Sequence, residues 1–145
     1  MTPFYQIQDK LFSILSENND LKGIPIIKDN GTVNDKISEA LRNIGICIII
    51  SPVIDIRVIE NIRKNSSITS QIVVSVEVNP TKNKENLNKD ILVVVNYVIK
   101  AVLEWTPARI DEDRFELSSD AVSLYSVDLG LIIYDIKLQK NGVIR

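Results

Sequence analysis

The feature that most restricts the fold of this chain is a long apolar segment, residues 87–105, in which thirteen of nineteen residues are apolar. After its first turn, the polar residues are Asn96, Lys100 and Glu104, which are spaced by four and therefore form one narrow stripe along a helix. The segment contains neither glycine nor proline. A helix with so little polar surface must be covered on several sides, so we expect it to lie at the centre of the fold.

The region before this helix has the pattern of a long β-hairpin. Residues 68–78 alternate between apolar and polar side chains, which predicts a strand with one buried face. Asn79-Pro80 should end that strand, because proline cannot donate a ladder hydrogen bond, and a polar loop should then lead into the helix. Residues 46–60 predict the partner strand in two halves, bent at Ser51-Pro52, with residues 61–67 as the hairpin turn.

The first 45 residues predict two helices and one short strand. An amphipathic helix within residues 1–20 begins at Thr2-Pro3, a pair typical of a helix start. Residues 24–28 predict a short edge strand, because the segment contains a proline. Asn34 is expected to cap a second helix, which ends at Gly45 in a left-handed C-terminal cap.

The last third of the chain predicts the remaining strands. Residues 108–120 have the composition of an acidic loop, with a short extended piece at residues 115–117. Two strands should follow at residues 122–127 and 129–138, and residues 139–145 are expected to form a loose tail. In chain order, these elements predict a single α+β domain over residues 1–145. We expect an antiparallel or mixed sheet of about five strands with two or three helices packed on it.

Composition restricts the class of protein. A chain of 145 residues, 45% hydrophobic and 25% charged, can bury about 68% of its unfolded surface as one domain. No apolar run approaches the roughly 20 residues of a membrane span. Residues 1–20 lack the basic start and apolar centre of a signal peptide, so we expect a cytosolic protein without a membrane partner.

The chain contains no histidine and one cysteine, Cys47. Histidine is the commonest general base and metal ligand, so this composition removes Ser-His-Asp and Cys-His catalysis and the ligand set of a tetrahedral zinc site. Cys47 lies in an apolar strand without a basic neighbour, which predicts an inert thiol in the core. We therefore expect no enzymatic activity, no cofactor and no metal.

Charge is unevenly distributed along the chain. Residues 57–100 contain seven Lys/Arg and four Asp/Glu, whereas residues 101–135 contain two and eight. Two such unlike segments favour self-association, and they nominate four interface residues, Arg63 and Lys64 in the basic segment and Asp111 and Asp113 in the acidic one. The net charge of −2 argues against sequence-specific recognition of nucleic acid. A nucleic-acid-binding module that uses the Arg63-Lys64 turn remains an alternative.

Each candidate also has a simpler structural explanation. The acidic cluster at 111–113 and Glu116 lacks the loop spacing of a calcium site, which favours a solvated acidic loop. Arg63-Lys64 and the lysines at 82 and 84 have no interleaved aromatics, which favours solvated loop charges over phosphate contacts. Trp105 is most simply a core anchor, although tryptophan is also enriched at the centres of interfaces.

Two stretches carry a family resemblance: Val76-Glu77-Val78-Asn79-Pro80 with Asn83, and Leu103-Glu104-Trp105-Thr106-Pro107, where the long helix ends. With the order of elements over residues 37–138 and a late aromatic such as Tyr125 or Tyr134, the chain resembles the small neck proteins of tailed bacteriophages. The most similar group is the tail-terminator group, also called tail-completion or minor tail protein U-like proteins.

The resemblance implies a non-enzymatic virion protein, present in the host cytoplasm during assembly. Such a subunit would form a ring, commonly a hexamer, that caps the tail tube and meets the head–tail connector. Head-closure and connector-adaptor proteins of the same virions have similar sizes and layouts, so they remain alternatives. A small-ligand-binding or enzymatic α+β domain, with its pocket between the sheet and the long helix, is the rival of a different class.

Overall fold

A mixed β-sheet with helices on both faces organises the chain. The computed structural model describes residues 3–62, 65–107, 114–128 and 130–144, and over these it contains four α-helices and six strands. The elements are α1 (Ile7–Ser16), β1 (Ile26–Lys28), α2 (Asn34–Asn43), β2 (Ile46–Ile50), β3 (Asp55–Ile62), β4 (Asn65–Val78), α3 (Pro80–Glu85), α4 (Ile91–Glu104), β5 (Phe115–Asp128) and β6 (Leu131–Ile144). The predicted α+β class, with a mixed sheet, is confirmed.

The centre of the sheet is the long antiparallel pair of strands β4 and β6. The strand order is β1-β2-β4-β6-β5, and β3 pairs with the half of β4 that β2 leaves free. β1 runs parallel to β2, and the other pairs are antiparallel. β4 and β6 pair along their whole length, from Ser66 opposite Ile144 to Val78 opposite Ile132. As a result, β5 lies at one edge of the sheet. On the opposite side, the outer strands are β1, next to β2, and β3, which borders the other half of β4.

The predicted bend between the two halves of the 46–60 strand is confirmed. β2 ends at Ile50 and β3 begins at Asp55. Between them, Ser51 and Val73 exchange two hydrogen bonds, from the Ser51 amide to the Val73 carbonyl at 2.9 Å and from the Val73 amide to the Ser51 hydroxyl at 3.0 Å. The serine side chain thus takes the place of a backbone acceptor where the strand leaves the ladder.

The main core lies on the face of the sheet that α1 and α4 cover, here called the first face. α1 contributes Ile7, Leu11 and Leu15, spaced by four and fully buried. α4 contributes its buried side, and the strands contribute alternate residues. The fully buried members on α4, β4 and β6 include Val94, Val98, Val102, Val74, Val76, Ile136 and Leu138.

The opposite, second face is covered by α2 only where β1 and β2 lie. Cys47 and Ile49 of β2 pack there against Ala40 and Leu41 of α2. Because Ile46, Ile48 and Ile50 belong to the first-face core, β2 is buried on both faces, as its apolar pattern predicts. Helices cover both sides of β2, so its double-faced pattern is explained within one molecule.

The long apolar helix is confirmed, but its start differs from the prediction. α4 begins at Ile91, and the Asp90 carboxylate caps it by accepting from the amides of Leu92 and Val93. The predicted polar loop before it contains a further helix, α3, which begins with Pro80 and is capped by Asn79. The prediction treated Asn79-Pro80 only as a strand end, whereas the same pair also starts a helix.

Three predictions at strand ends are wrong. The expected loose tail at 139–145 is ordered over residues 139–144 as the end of β6, which pairs with residues 66–71 of β4. The expected turn at 61–67 is largely ladder, because Ile62 pairs with Asn65. The expected acidic loop and strand at 115–127 form one strand, β5, with two register shifts. Their polar residues indicated loops, but pairing with strands distant in sequence decided the structure.

The predicted helix caps have different outcomes. Gly45 has the left-handed backbone that was predicted, with a φ of 97°. Asn34 is the first residue of α2 and its side chain makes no capping hydrogen bond, so the predicted cap is wrong. Thr2, the predicted cap of the N-terminal helix, lies outside the described residues. In the described part, a short 3-10 turn at Phe4–Gln6 precedes α1.

Candidate assembly surfaces

The four interface residues that the sequence predicts lie outside the described residues. Arg63 and Lys64 connect β3 to β4 in the sequence, and Asp111 and Asp113 belong to the connection between α4 and β5. Their part in an interface therefore stays a prediction. The strands next to these residues in the sequence, β3 and β5, are described, and they lie at opposite edges of the sheet.

β5 presents apolar side chains that the helices leave uncovered. Val122, Leu124 and Val127 stand opposite Ile136, Tyr134 and Ile132 of β6, and therefore point to the first face. Leu124 is nevertheless 50% exposed and Val127 is 66% exposed. The first-face core thus ends before it reaches this edge of the sheet.

The neighbouring flank of α4 is apolar as well. Leu92 and Leu103 are exposed and lie eleven residues apart, which is three helical turns and therefore the same side of the helix. Glu104 and Ala101 line a cleft with α1, so Leu92 and Leu103 lie on the flank away from α1. α1 packs over β1 and β2 whereas α4 packs over β4, β6 and β5, so this flank faces the β5 edge.

We call these five exposed residues the α4–β5 surface: Leu92, Leu103, Val122, Leu124 and Val127. Single exposed apolar residues are ordinary on protein surfaces, but several of them on neighbouring elements at the edge of a sheet are a usual mark of an interaction site.

The opposite edge of the sheet has a second apolar set. β3 pairs with β4 on one side, and no described strand pairs with its other side. Val58 is 54% exposed, and Ile54 and Ile59 are each 61% exposed. The register shifts between Val58 and Glu60, which leaves Ile59 as the extra residue of a bulge. We call Ile54, Val58 and Ile59 the β3 edge.

Between the two edges, the second face carries a polar groove of about 410 Å³. Its walls are Ile54 and Arg57 on one side and residues 118–120 of β5 on the other. Arg57 is paired with Asp55 at 3.0 Å, and Lys137 is paired with Asp120 at 2.7 Å. The hydrogen bond from Lys137 lowers the pKa of Asp120. Both described cations of this groove are thus already neutralised by carboxylates.

Nearer to α2, the second face holds two adjacent carboxyl groups. The pKa of Glu77 is raised, mainly by burial and to a lesser extent by the negative charge of the Asp135 carboxylate. Asp135 accepts a hydrogen bond from the Ser75 hydroxyl at 2.7 Å. Cys47 stands opposite Glu77 and is fully buried, and burial raises the pKa of its thiol to about 12. Cys47 is therefore the core thiol that was predicted, with almost no reactive thiolate at neutral pH.

Trp105 packs where α4 ends, at the border of the core. Its ring lies 5.7 Å from that of Phe115, and the ammonium groups of Lys140 and Lys10 lie 5.3 and 5.2 Å from its centroid. Lys140 is only 1% exposed. These contacts join α1, α4, β5 and β6, which supports the core-anchor interpretation of Trp105.

The remaining predicted features have structural explanations. Lys82 and Lys84 are exposed on α3, and Lys82 is within 3.5 Å of Glu85. The rival hypothesis of a small-ligand-binding or enzymatic domain would need a pocket between the sheet and the long helix, but Val94, Val98 and Val102 are fully buried there and fill that space. Among the described residues, no three Asp, Glu, Cys or His side chains are grouped as a metal site would require. No described helix has the length and apolar character that crossing a membrane requires.

Neither a protein-family model nor a curated protein matches this chain. Sequence reasoning did not identify the α4–β5 surface or the β3 edge. A signal was present, because residues 121–127 are rich in apolar side chains and contain neither a charge nor a proline. Such a segment suits a paired strand, whereas an unpaired edge usually carries charges or proline.

Proposed function

We propose that this protein is a structural subunit that assembles with copies of itself through unlike surfaces, as a tail-terminator or neck protein of a tailed bacteriophage. The observation that carries the proposal is the position of two exposed apolar sets, the α4–β5 surface and the β3 edge, at opposite edges of one sheet. A subunit with two different apolar edges can bind the next copy head to tail, and such contacts close into a ring when the rotation between copies allows it.

The phage assignment is supported by the family resemblance of the sequence. It implies a ring, commonly a hexamer, that caps the tail tube and contacts the head–tail connector in the virion. The uneven charge agrees with head-to-tail contacts, since a basic and an acidic segment on one chain align neighbours in one direction.

Sedimentation velocity across a wide concentration range, followed by negative-stain electron microscopy of the concentrated protein, tests the proposal. We expect a monomer at low concentration and a growing fraction of closed rings as the concentration rises. A dimer that resists dilution and has two-fold symmetry would contradict the proposal, because it uses one surface twice. A protein that is monomeric at every concentration and does not bind to purified phage tails would contradict it as well.

The position of the encoding gene supplies an independent check. Neighbouring genes for a tail tube, a tape-measure protein or a head–tail connector would support the neck assignment. A neighbourhood of metabolic genes would contradict the phage assignment, while leaving head-to-tail assembly to be decided by sedimentation.

A further inference from the structure

We infer that β3 of one copy pairs with β5 of the next copy, so that two sheets continue as one across the contact. This inference rests on the proposed function, because it names the surfaces through which the copies meet. It goes beyond it by assigning a main-chain contact, in which one strand adds to the free edge of another sheet.

Both strands have an edge available for such pairing. β5 pairs only with β6 and β3 pairs only with β4 among the described strands. Proteins usually protect a free edge with charges, proline or short strands. β5 spans fourteen residues, and its segment 121–127 contains no charged residue and no proline. This seven-residue segment lacks the usual charge or proline protection of an edge, which favours a partner strand.

Apolar side chains of both edge strands point to the same face of the sheet. Val58 stands opposite Ile68, which is buried on the first face, so Val58 points to that face too. Leu124 and Val127 also point to the first face, as their register with β6 shows. In a continuous sheet, these three side chains become neighbours on one face, and each covers apolar surface that the isolated copy exposes.

The partner that we infer for each edge is another copy of this chain, because a copy can pair with β3 through its β5 and with β5 through its β3. Each β3–β5 contact covers one edge of either copy, and repetition around a ring covers both the β3 edge and the β5 edge of every copy. Two β5 strands paired around a two-fold axis would leave both β3 edges exposed.

Charge favours the same arrangement. Glu116 and Asp120 are exposed acidic residues of β5, and the sequence that precedes this strand contains Asp111, Glu112 and Asp113, followed by Arg114. β3 itself contains Asp55, Arg57 and Glu60, and Arg57 is paired with Asp55, but the strand leads in sequence to Arg63 and Lys64. These two basic residues are the ones that pairing with β5 would bring towards its acidic residues.

Cysteine cross-linking with a short bismaleimide tests the inference. The variants are Val58→Cys and Leu124→Cys, at two exposed positions, with Ser38→Cys on the exposed side of α2 as the matched control. The native Cys47 is buried, with its thiol pKa near 12, so it should not react at neutral pH. Circular dichroism of each variant checks that it is folded.

We expect a cross-linked dimer when concentrated Val58→Cys and Leu124→Cys proteins are mixed, and none from either variant alone. The chain that carries both substitutions should give a ladder of covalent oligomers that stops at the number of subunits in the ring. Mixtures that contain Ser38→Cys should give no product.

Two outcomes would overturn the inference. Cross-linking of Leu124→Cys with itself would indicate a two-fold β5–β5 contact. Absence of the mixed product, in samples that sedimentation shows to be assembled, would mean that copies meet through other surfaces while the proposed function stands. If no sample assembles at any concentration or on purified tails, the proposed function fails together with the inference.

Discussion

Gly45 lies directly against the backbone of Asn83, with no room for a side chain between them. A Cβ atom built on Gly45 would overlap the Asn83 amide and the carbonyl carbon of Lys82. The Gly45 carbonyl also accepts a hydrogen bond from the Asn79 amide at 2.7 Å, and the Asn86 side chain donates to the carbonyls of Asn43 and Ile44. The end of α2 and the whole of α3 are therefore packed as one unit at the end of β4.

Gly45→Ala should accordingly destabilise the fold by about 3 kcal/mol or more, because it adds the overlap to the cost of a left-handed backbone. Gly31→Ala is the matched control, since Gly31 has a similar φ of 90° and no atom within 4 Å of the added Cβ. We expect the control to cost about 1–2 kcal/mol. Urea denaturation of both variants measures the difference, and equal losses would contradict the close packing at Asn83.

The phase of α4 can be tested with one buried and one exposed residue. Val98 is fully buried in the first-face core, so Val98→Asp places a charge without a partner in an apolar site. We expect a loss of several kcal/mol, enough to unfold a domain with a typical stability of about 5–15 kcal/mol. Lys100 is exposed, and Lys100→Ala should change stability by no more than about 0.5 kcal/mol. Thermal melts compare the two, and similar melting temperatures would mean that the helix is turned differently.

Glu77 gives a prediction about pH. Its pKa is raised from an ordinary value of 4.5 by burial and by Asp135, so the folded state favours the neutral carboxyl. The resulting stabilisation is complete below the pKa of the unfolded chain and is lost as the pH rises through the folded pKa. Glu77→Gln, which stays neutral, should therefore raise the melting temperature at pH 7 and change it little at pH 3.

Glu39 is exposed on α2, so Glu39→Gln serves as the control, and we expect it to change the melting temperature little at either pH. A lower melting temperature of Glu77→Gln at pH 7 would mean that the ionised carboxylate stabilises the fold, in contradiction to the burial argument.

Periodicity predicted the parts of this fold that depend on one element and its burial. The narrow polar stripe at Asn96, Lys100 and Glu104 identified α4 as a helix, because a strand would place the apolar Val98 and Val102 on the same face as these polar residues. The apolar pattern of β2 indicated burial on both faces, and Gly45 indicated the end of α2. Each of these signals is local, so it needs no knowledge of what the element packs against.

The parts that were missed depend on pairing between segments distant in sequence. Residues 139–144 begin with three polar residues and a glycine, which indicated a loose tail, but β4 supplies a ladder with which they pair. The α4–β5 surface was missed for a related reason. Nothing in the sequence of β5 shows that α4 stops short of Leu124, because that depends on how the helix crosses the sheet.

Leu124→Lys tests the α4–β5 surface as the place of assembly. A charged side chain at the centre of an apolar contact should weaken association at least about tenfold, which corresponds to roughly 1.4 kcal/mol. Tyr5→Lys is the control, because Tyr5 is also an exposed large side chain but lies near the N-terminus. Sedimentation velocity gives the association constants, and equal effects of the two substitutions would argue against a specific role for β5.

The last prediction concerns the charged residues that the sequence nominates. If the basic segment of one copy meets the acidic segment of the next, assembly should weaken as salt rises, since exposed charges are screened over about 8–10 Å. Reversal of Arg63 and Lys64 to Glu should impair assembly and leave the fold intact, because exposed ion pairs contribute little to stability. Reversal of Asp111 and Asp113 to Lys in the same chain should partly restore assembly, since both segments then change sign.

Sedimentation of the concentrated protein, or binding to purified tails, compares the two double variants with their combination. The matched control reverses Lys82 and Lys84 to Glu, because these exposed residues lie on α3, on neither of the two edge strands. If the Arg63/Lys64 variant assembles like the control, these charges are only solvated surface groups. If both double variants fail and the combination does no better, each segment contributes to assembly but the two do not contact each other.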